Sequence, residues 1–577
     1  MSSQSPFVLR RPSAPRWTPL ALATLTVLAG CARPPRFPLK APLTQDDDER
    51  PFAPEPKEYE SPFAWDAANQ TVFYPVSRAF AVDPARRAVN VNALDEVPNS
   101  SWFTNRLGTL PMSPEMVTAG SCKATQLDPN APDGTWIIDK GKDNGANPGF
   151  RVNVPGVGKF MLKSDLAEEP ERATGATAIA TRIYHALGYF APCDSIVYFR
   201  PSLLALKPGL TVTNNSGITR PFDAGALAQI LAGASRRDGL IRMVSSQWLD
   251  GKPIGPYTYD GLRKDDPNDA IPHQDRREIR GARLVAAWLN HFDSREQNTL
   301  DVFIPVGDKK QGRGFVRHYI IDLGDCFGSA WTVDGFSRQF GHAYLFDASY
   351  VAEDFITLGT QVRPWERAER TGGVFNYFSA RDFDPASWRG EYPNPAFGRM
   401  TEADGAWMAR ILAYFDDDMV AAAVRVGAFD AAGTRYLTET LIQRRDAILR
   451  RYLTRLSPIT KLEVRENRLC GIDLARKRGV VPRESLSYRA SFYGGEALTP
   501  MGPLAVSSEG TGDVCIELSH RVTDSSKPDD DASRYQVVDV FNGYAPGPLR
   551  AHLYDLGSQR GFALAGLERP EDGSPPR

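Results

Sequence analysis

The segment from 276 to 324 constrains the fold of this chain most, because a helix pattern, a polar loop and two strand patterns follow one another in it. Apolar residues recur at helical spacing over 276–290, which predicts a helix. Residues 300–305 and 315–321 are rich in β-forming side chains, and the polar, glycine-containing turn between them predicts a hairpin. The loop at 291–298 is therefore expected between a helix end and a hairpin.

That loop reads His-Phe-Asp-Ser-Arg-Glu-Gln-Asn, and the second predicted strand of the hairpin runs into Asp-Leu-Gly at 322–324. An Asp with an Asn five positions on and a second Asp that closes a strand is a layout that supports phosphoryl transfer from a magnesium nucleotide. The first carboxylate orients the accepting hydroxyl, and the other two side chains hold the metal. Asp293 is therefore the candidate base, and Asn298 and Asp322 are the candidate Mg²⁺ ligands.

These motifs resemble those of atypical kinases such as the HipA and spore-coat CotH proteins. His291-Phe292-Asp293 stands where that superfamily has His-Arg-Asp, and Asp322-Leu323-Gly324 stands where it has Asp-Phe-Gly. Arg295 takes the place of a cation that kinases commonly set on the transferred phosphate. The resemblance spans about 136–323 and implies an α+β, bilobal kinase-like fold, with a small β-rich N-lobe and a helical C-lobe. It also implies ATP and Mg²⁺ as cofactors.

Three strands are predicted upstream, at 135–139, 150–154 and 159–163. The turn between the first two is rich in glycine, and a turn of this kind can direct backbone N–H groups at phosphates. Gly141 and Gly145 are the candidate residues for that contact. The turn is not a G-x-G-x-x-G motif, and a plain hairpin is the alternative interpretation.

Lys163 ends the third strand, where the resemblance implies the lysine that binds the α- and β-phosphates. An ordinary exposed lysine is the alternative. A helix is predicted over 170–187, and in kinases the corresponding helix supplies a glutamate that pairs with this lysine. Glu171 is the first candidate for that partner, with Glu168 and Glu169 as competitors. The helix dipole alone would also favour a glutamate at this end.

The N-terminus is similar to that of a bacterial lipoprotein. Three arginines precede the apolar stretch 17–30, which is too short to span a bilayer and ends in Leu28-Ala29-Gly30-Cys31. Cys31 is the predicted lipidation site, while an ordinary cleaved signal or a short membrane anchor is the alternative. Ala32 after the cysteine favours the outer membrane. We therefore expect a lipid-anchored protein of the bacterial cell envelope that faces the periplasm or the exterior.

The chain contains six cysteines, and the five beyond Cys31 are widely spaced without a C-x-x-C pair. This spacing predicts neither a metal site nor a dense disulfide framework. A single bridge between Cys470 and Cys515 is expected in an oxidising compartment, and free buried thiols are the alternative.

Length and net charge limit the number of domains and the kinds of partner that are expected. With 577 residues, of which 42% are hydrophobic, the chain is long enough for two or three domains. The net charge of −2 becomes more negative once the arginines of the signal peptide are removed, so nucleic acid is not an expected partner.

The predicted secondary structure of the C-terminal half changes from helix to strand at Pro458. Helices are predicted over 401–456, beginning at Thr401, with Asp404 completing a variant capping box. The arginines of the last helix are expected to form a solvated face: Arg444, Arg445, Arg450, Arg451 and Arg455. Beyond Pro458, short β-rich runs separated by turns predict a small all-β domain.

The expected function is transfer of a phosphoryl group from a Mg-nucleotide to an unknown acceptor, either a protein or a small molecule. The alternative is a catalytically silent kinase-fold lipoprotein that binds a ligand or a protein at the envelope. Asp293 and Asp322 could instead form a hydrolytic carboxylate pair, but nothing else in the chain supports a sugar site. The expected organisation is a signal peptide (1–30), a Pro-rich tether (31–64), a lead-in packed on the lobes (65–130), an N-lobe (131–255), a C-lobe (256–458) and a β-rich domain (459–577).

Overall fold

The computed structural model describes residues 37–51, 53–78, 87–122, 126–142, 147–213, 218–307, 312–329, 333–371, 373–495, 497–522 and 526–576. The predicted signal peptide, Cys31 and Gly145 lie outside these ranges. Within them the chain is a mixed α+β protein with several sheets.

The elements follow in chain order. The strands are β1 (Ala53–Pro54), β2 (Trp136–Lys142), β3 (Gly149–Val154), β4 (Gly158–Lys163), β5 (Asp194–Phe199), β6 (Leu204–Leu206), β7 (Thr211–Thr213), β8 (Thr219–Pro221), β9 (Arg236–Arg237), β10 (Leu240–Gln247), β11 (Lys252–Pro253), β12 (Thr299–Pro305), β13 (Arg313–Ile320), β14 (Ile459–Arg465), β15 (Arg468–Asp473), β16 (Arg489–Gly494), β17 (Thr499–Leu504), β18 (Val506–Glu509), β19 (Asp513–Glu517), β20 (Tyr535–Phe541), β21 (Leu549–Asp555) and β22 (Phe562–Glu568). The helices are α1 (Phe63–Ala68), α2 (Tyr74–Arg78), α3 (Pro114–Ala119), α4 (Arg172–Ala186), α5 (Ala224–Gly233), α6 (Arg277–Leu289), α7 (Asp334–Gln339), α8 (Ala348–Thr357), α9 (Pro395–Gly398), α10 (Glu402–Leu412), α11 (Asp417–Arg425), α12 (Ala431–Tyr452) and α13 (Leu474–Lys477).

The first large sheet has the order β5-β10-β4-β3-β2-β6, with β9 beside β10. The three strands predicted upstream of the helix are confirmed as β2, β3 and β4, which pair antiparallel in succession. Side chains alternate along a strand, so Phe150 and Leu162 lie in the core on one face. Lys163 and Arg242 lie on the opposite face, where Arg242 donates to the hydroxyl of Thr174 in α4 at 3.0 Å.

The helical part packs α4, α6, α10, α11 and α12 around the largest apolar core, which contains the fully buried Trp288 and Trp407. The helix predicted over 276–290 is confirmed as α6. The predicted capping box is confirmed as well, since Thr401 accepts from the backbone N–H of Asp404 and the Asp404 carboxylate accepts from that of Thr401.

The solvated face predicted for α12 is wrong at two of its arginines. Arg444 and Arg445 are only 5% and 1% exposed. Arg444 donates to the carbonyls of Ala287 and Trp288, at 2.6 and 2.9 Å, in the last turn of α6. Carbonyls at a helix C-terminus lack partners within the helix, and Arg444 supplies one from a neighbouring element.

The predicted hairpin is confirmed by β12 and β13, whose register runs from Thr299 opposite Ile320 to Pro305 opposite Gly314. These strands form a small sheet in the order β1-β13-β12-β11. Because β12 begins where β13 ends, the residues just before Thr299 and just after Ile320 are neighbours in space.

The β-rich region beyond Pro458 is confirmed as all antiparallel, with the sheets β14-β15-β19-β18 and β17-β16-β20-β21-β22. Leu469 and Val514 of the first sheet share one apolar core with Val538 and Leu553 of the second. The two sheets therefore pack against each other as a small sandwich.

The described part of the predicted tether is not a free linker. Phe37 packs on the C-terminal sheet, where a side chain at Gly566 would lie 2.3 Å from its ring. Asp48 is buried and accepts from the backbone and hydroxyl of Ser101. Ala53, in β1, pairs with the edge of β13. Proline and acidic residues suggested a solvated chain, but this segment uses its backbone and its few apolar side chains to cross the folded body.

Two disulfides join described cysteines. The expected Cys470–Cys515 bridge is confirmed and links β15 to β19. A second bridge, between Cys122 and Cys193, was not predicted because its partners lie 71 residues apart in the sequence. Cys326 is a free, buried thiol. Disulfides persist in oxidising compartments, so these two disulfides indicate an extracytoplasmic protein.

In the described part of the chain, no helix is both long and apolar enough to cross a bilayer.

Candidate functional site

The loop at 291–298 is fixed by the end of α6. Asn290 ends the helix in the left-handed conformation, with φ of 50°, and its side chain accepts from the indole of Trp388 at 2.9 Å. The backbone N–H of His291 then returns to the carbonyl of Ala286 at 2.8 Å. Together with the Arg444 contacts to the last turn of α6, these bonds set the direction in which the loop leaves the helix.

Asp293 and Asn298 are brought together as the sequence predicted. The amide of Asn298 donates to the Asp293 carboxylate at 2.6 Å and to its backbone carbonyl at 2.8 Å. Both residues are buried. Burial raises the pKa of Asp293 well above its ordinary value, although the nearby charge of Arg295 and the Asn298 hydrogen bond oppose this. The loop therefore presents a carboxyl group that holds a proton more tightly than usual.

Arg295 lies beside Asp293 rather than apart from it. Its guanidinium is 2.5 Å from the Asp293 carboxylate and also pairs with Glu391. The ring of Phe63, from α1, covers it at 4.6 Å. The predicted cation is therefore present next to the candidate base, and two carboxylates and an aromatic ring hold it there.

His291, which opens the motif, is a structural residue. It is buried, and Tyr184 of α4 shares a hydrogen bond with its Nδ1 at 3.0 Å. Burial lowers the pKa of His291 to about 3, so the ring is neutral at physiological pH.

Lys163 and Asp322 form an ion pair of 2.7 Å, which joins β4 to the turn after β13. The charge of Lys163 is the main cause that lowers the pKa of Asp322 to about 2. Burial would lower the pKa of Lys163, but Asp322, Asp194 and Asp325 outweigh that effect and raise it. Both side chains are therefore charged.

The hairpin of β12 and β13 makes the Asp293–Asn298 pair a neighbour of the Lys163–Asp322 pair. The backbone N–H of Ile321 donates to the carbonyl of Asn298 at 3.0 Å, so the residue before Asp322 is bonded to the last residue of the loop. The sequence predicts that one site contains Lys163, Asp293, Asn298 and Asp322. The structure brings each pair into contact and sets the two side by side.

Lys142 is a further residue of the site that sequence reasoning missed. In the register of the sheet, Lys142 lies opposite Gly149, and Gly149 lies opposite Lys163. The two lysines therefore flank a residue without a side chain on the same face. Burial, followed by the charge of Lys163, lowers the pKa of Lys142 to about 8. One sequence feature could have indicated this. Lys142 ends β2 and Lys163 ends β4, and only β3 lies between these strands.

The predicted partnership of Lys163 with Glu171 is wrong. Glu171 precedes α4 with φ of 66°, and this left-handed backbone turns its carboxylate to Arg237 of β9, at 2.8 Å. Glu169 instead accepts from Arg172 at 2.8 Å, and Arg172 also donates to the carbonyl of Gly324 at 2.7 Å. Arg172 thus ties α4 to the Asp-Leu-Gly turn, a link that no sequence pattern indicated.

Gly141 has a packing role in the structure. It lies inside β2 opposite Phe150, and a side chain there would come within 2.4 Å of Val212 and 2.5 Å of Phe222. The lack of a side chain thus makes room for these two residues. Gly145, the other glycine proposed for phosphate contact, falls outside the described part of the chain.

The described residues contain no group of three or more His, Cys, Asp or Glu side chains arranged to hold a metal ion. A Mg²⁺ site of the predicted kind needs fewer, because Mg²⁺ keeps several waters and is bound by one or two carboxylates together with substrate phosphates. Asn298 and Asp322 are oxygen-bearing neighbours and suit that role, with Lys142 and Lys163 beside them for phosphate oxygens.

No protein-family model, curated protein or solved structure matches the chain. The resemblance to atypical kinases therefore rests on the sequence motifs alone.

Proposed function

We propose that the protein is a lipid-anchored phosphotransferase of the bacterial cell envelope, which moves a phosphoryl group from a Mg-nucleotide to an acceptor hydroxyl. One observation carries the proposal. Lys163 and Asp322, 159 residues apart in the sequence, form an ion pair next to the bonded pair of Asp293 and Asn298. Phosphoryl transfer depends on positioning and on charge stabilisation, and this cluster supplies groups for both.

Each residue has a role in this proposal. Lys163 and Lys142 bind phosphate oxygens, while Asp322 and Asn298 hold Mg²⁺, which neutralises charge on the nucleotide when it is bound. Asp293 accepts the proton of the acceptor hydroxyl, and its raised pKa makes it a stronger proton acceptor than an ordinary Asp. Arg295, held by Asp293 and Glu391, stabilises charge near Asp293.

A second candidate function is that of a catalytically silent module that binds an anionic ligand. One observation favours it: the Asp293 carboxylate is engaged on one oxygen by Asn298 and on the other by Arg295. A substrate hydroxyl would have to share an Asp293 oxygen with Asn298 or Arg295.

The first experiment is a thermal-shift titration of the purified protein with ATP, GTP and AMP, with and without Mg²⁺ or Mn²⁺. A ligand that binds only the folded state raises the melting temperature by mass action. The proposal predicts a rise with ATP or GTP that requires the metal, and a smaller rise with AMP. If none of the three nucleotides shifts the melting temperature with either metal, the protein does not bind nucleotide and the proposal is wrong.

The anchor rests on the lipobox ending at Cys31 and is supported by the extracytoplasmic location that the disulfides indicate. Cys31→Ala should leave an unprocessed precursor without lipid, detected by mass spectrometry. If that variant matures to the same mass and stays with membranes after a high-salt wash, Cys31 is not the lipidation site.

A further inference from the structure

A cavity of about 320 Å³, outside the candidate site, lies where five parts of the chain meet. Its wall combines the N-terminal segment at Thr44, residues from 92 to 109, α10, β14 and β22. Small-molecule sites commonly begin at about 300 Å³ and are formed where separate structural units come together.

Most of the wall is apolar. The aliphatic side chains in it come from every one of these parts except Thr44: Leu94, Val97, Leu107, Ile411, Leu462 and Leu567. An apolar body is therefore the kind of ligand surface that this part of the cavity accommodates.

Arg410 and Tyr414 add polar groups that lack partners. Arg410 is 3% exposed, and its Nη2 donates to Asp95 and Glu96. Its Nε and Nη1 have no hydrogen-bond acceptor among the described residues, and neither does the buried hydroxyl of Tyr414. Nearly all buried donors in folded proteins are hydrogen-bonded, so three unsatisfied ones on two residues that line one cavity point to a missing acceptor.

The charge beside the Tyr414 ring is positive. The ammonium groups of Lys461 and Lys477 lie 4.9 and 5.4 Å from the ring centre of Tyr414, and Lys461 lines the cavity. Glu96 also lines it, but its oxygens already accept from Arg410 and from the indole of Trp407. The missing acceptor is therefore an anion rather than a neutral group.

We infer that this cavity binds a small amphiphilic anion, with its acidic head group on Arg410, Tyr414 and Lys461 and its apolar body against the aliphatic wall. The inference does not depend on phosphoryl transfer, because the cavity shares no residue with the candidate site. A carboxylate and a phosphate head group have the same chemistry at such a site.

Isothermal titration calorimetry of the purified protein with octanoate, octyl phosphate and 1-octanol tests the inference. The two anions should bind saturably at one site, about tenfold or more tightly than the uncharged alcohol, because charge-assisted hydrogen bonds are about twice as strong as neutral ones. The tighter of the two anions identifies the head group as a carboxylate or a phosphate.

Two variants locate the site. Lys461→Met and Tyr414→Phe should each weaken binding of the anions by roughly three- to tenfold and leave 1-octanol unchanged, since each removes one head-group contact. Lys159→Met, an exposed lysine on β4, is the control and should bind like the wild type. The inference is overturned if the wild type binds neither anion saturably, if octanol binds as tightly as the anions, or if both variants bind them like the wild type.

Discussion

The two halves of the candidate site are built differently. On one side, the charged side chains of Lys163 and Asp322 are 19% and 43% exposed and form an ion pair of 2.7 Å. On the other, Asp293 is 8% exposed and lies within a group made by Asn298, Arg295 and Glu391. The first half can exchange its partner for a ligand more readily than the second, because Asp322 is open to solvent, which screens part of the attraction in the pair. The second is held in place before any ligand arrives.

This contrast assigns the two steps of the proposed reaction to different halves. Binding of nucleotide and metal belongs to the open half, and the chemistry at the acceptor belongs to the enclosed half. Variants on the two sides should therefore separate affinity from turnover.

The largest expected effect is on turnover. Asp293→Asn keeps the shape of the side chain but removes the proton acceptor, so phosphoryl transfer should fall by about 100- to 10,000-fold. Transfer is measured by the release of nucleoside diphosphate, and nucleotide affinity is measured in the same preparation. Unchanged turnover in Asp293→Asn would show that Asp293 takes no part in the reaction.

The next effect concerns how the Asp-Leu-Gly turn is held to α4. Arg172→Met removes the cation that bonds Glu169 and the carbonyl of Gly324, and breaking a buried ion pair costs about 3–5 kcal/mol of unfolding free energy. The matched control is Arg237→Met, which removes the Glu171 pair. Its side chain is 38% exposed, so the loss should be under about 1 kcal/mol.

Urea unfolding of both variants measures the difference. Equal losses in the two proteins would mean that Arg172 is not the link between α4 and the Asp-Leu-Gly turn.

A smaller effect is expected on affinity at the open half. Lys163→Met should weaken binding of ATP with Mg²⁺ by roughly ten- to a hundredfold, because it removes one charge-assisted contact to phosphate. Lys159→Met, on the same strand but exposed, should leave the affinity unchanged. Calorimetry gives both values, and an unaltered affinity in Lys163→Met would show that the nucleotide does not bind at this lysine.

The smallest effect is a pH dependence that comes from Lys142. Its pKa is lowered from the ordinary value to about 8, so the ammonium is charged below that pH and loses its proton as the pH rises through it. Affinity for ATP should fall a few-fold between pH 7 and 9 in the wild type. Lys142→Met should bind more weakly at pH 7 and show little change over the same interval. A wild-type affinity that is constant over this interval would exclude Lys142 from the site.

The same shift affects stability with a defined sign. Between about pH 8 and the ordinary lysine pKa, the unfolded chain keeps a proton on Lys142 that the folded protein has lost. The contribution of Lys142 to the unfolding free energy therefore increases with pH in that interval, and urea unfolding of the wild type and Lys142→Met should show the difference.

The sequence predicts local elements well and long-range partners poorly. The helix α6, the hairpin of β12 and β13 and the capping box of α10 follow from periodicity and cap residues, which act within a few residues. Proximity of Asp293 to Asn298 follows from their spacing in one loop. These features were predicted because local sequence determines them.

The residues that were missed depend on directions that the sequence does not display. Glu171 turns to Arg237 because its backbone is left-handed, and no pattern indicated that conformation. Arg444 was expected in water because an arginine on a helix face has the same spacing whether it meets solvent or a neighbouring helix end. Lys142 lies at the site because of the register between β2 and β3. The hydrophobic pattern sets that register for whole strands and does not indicate the position of one lysine.

The most direct test is calorimetric titration of ATP, with and without Mg²⁺, into the wild type, Asp322→Asn and Asp293→Asn. We expect the wild type and Asp293→Asn to bind with similar, metal-enhanced affinity, and Asp322→Asn to lose the enhancement. General unfolding would affect both variants alike, so the contrast between them is specific. If the metal does not change the affinity of the wild type, or if the two variants behave identically, the division of the site into a binding half and a chemical half is wrong.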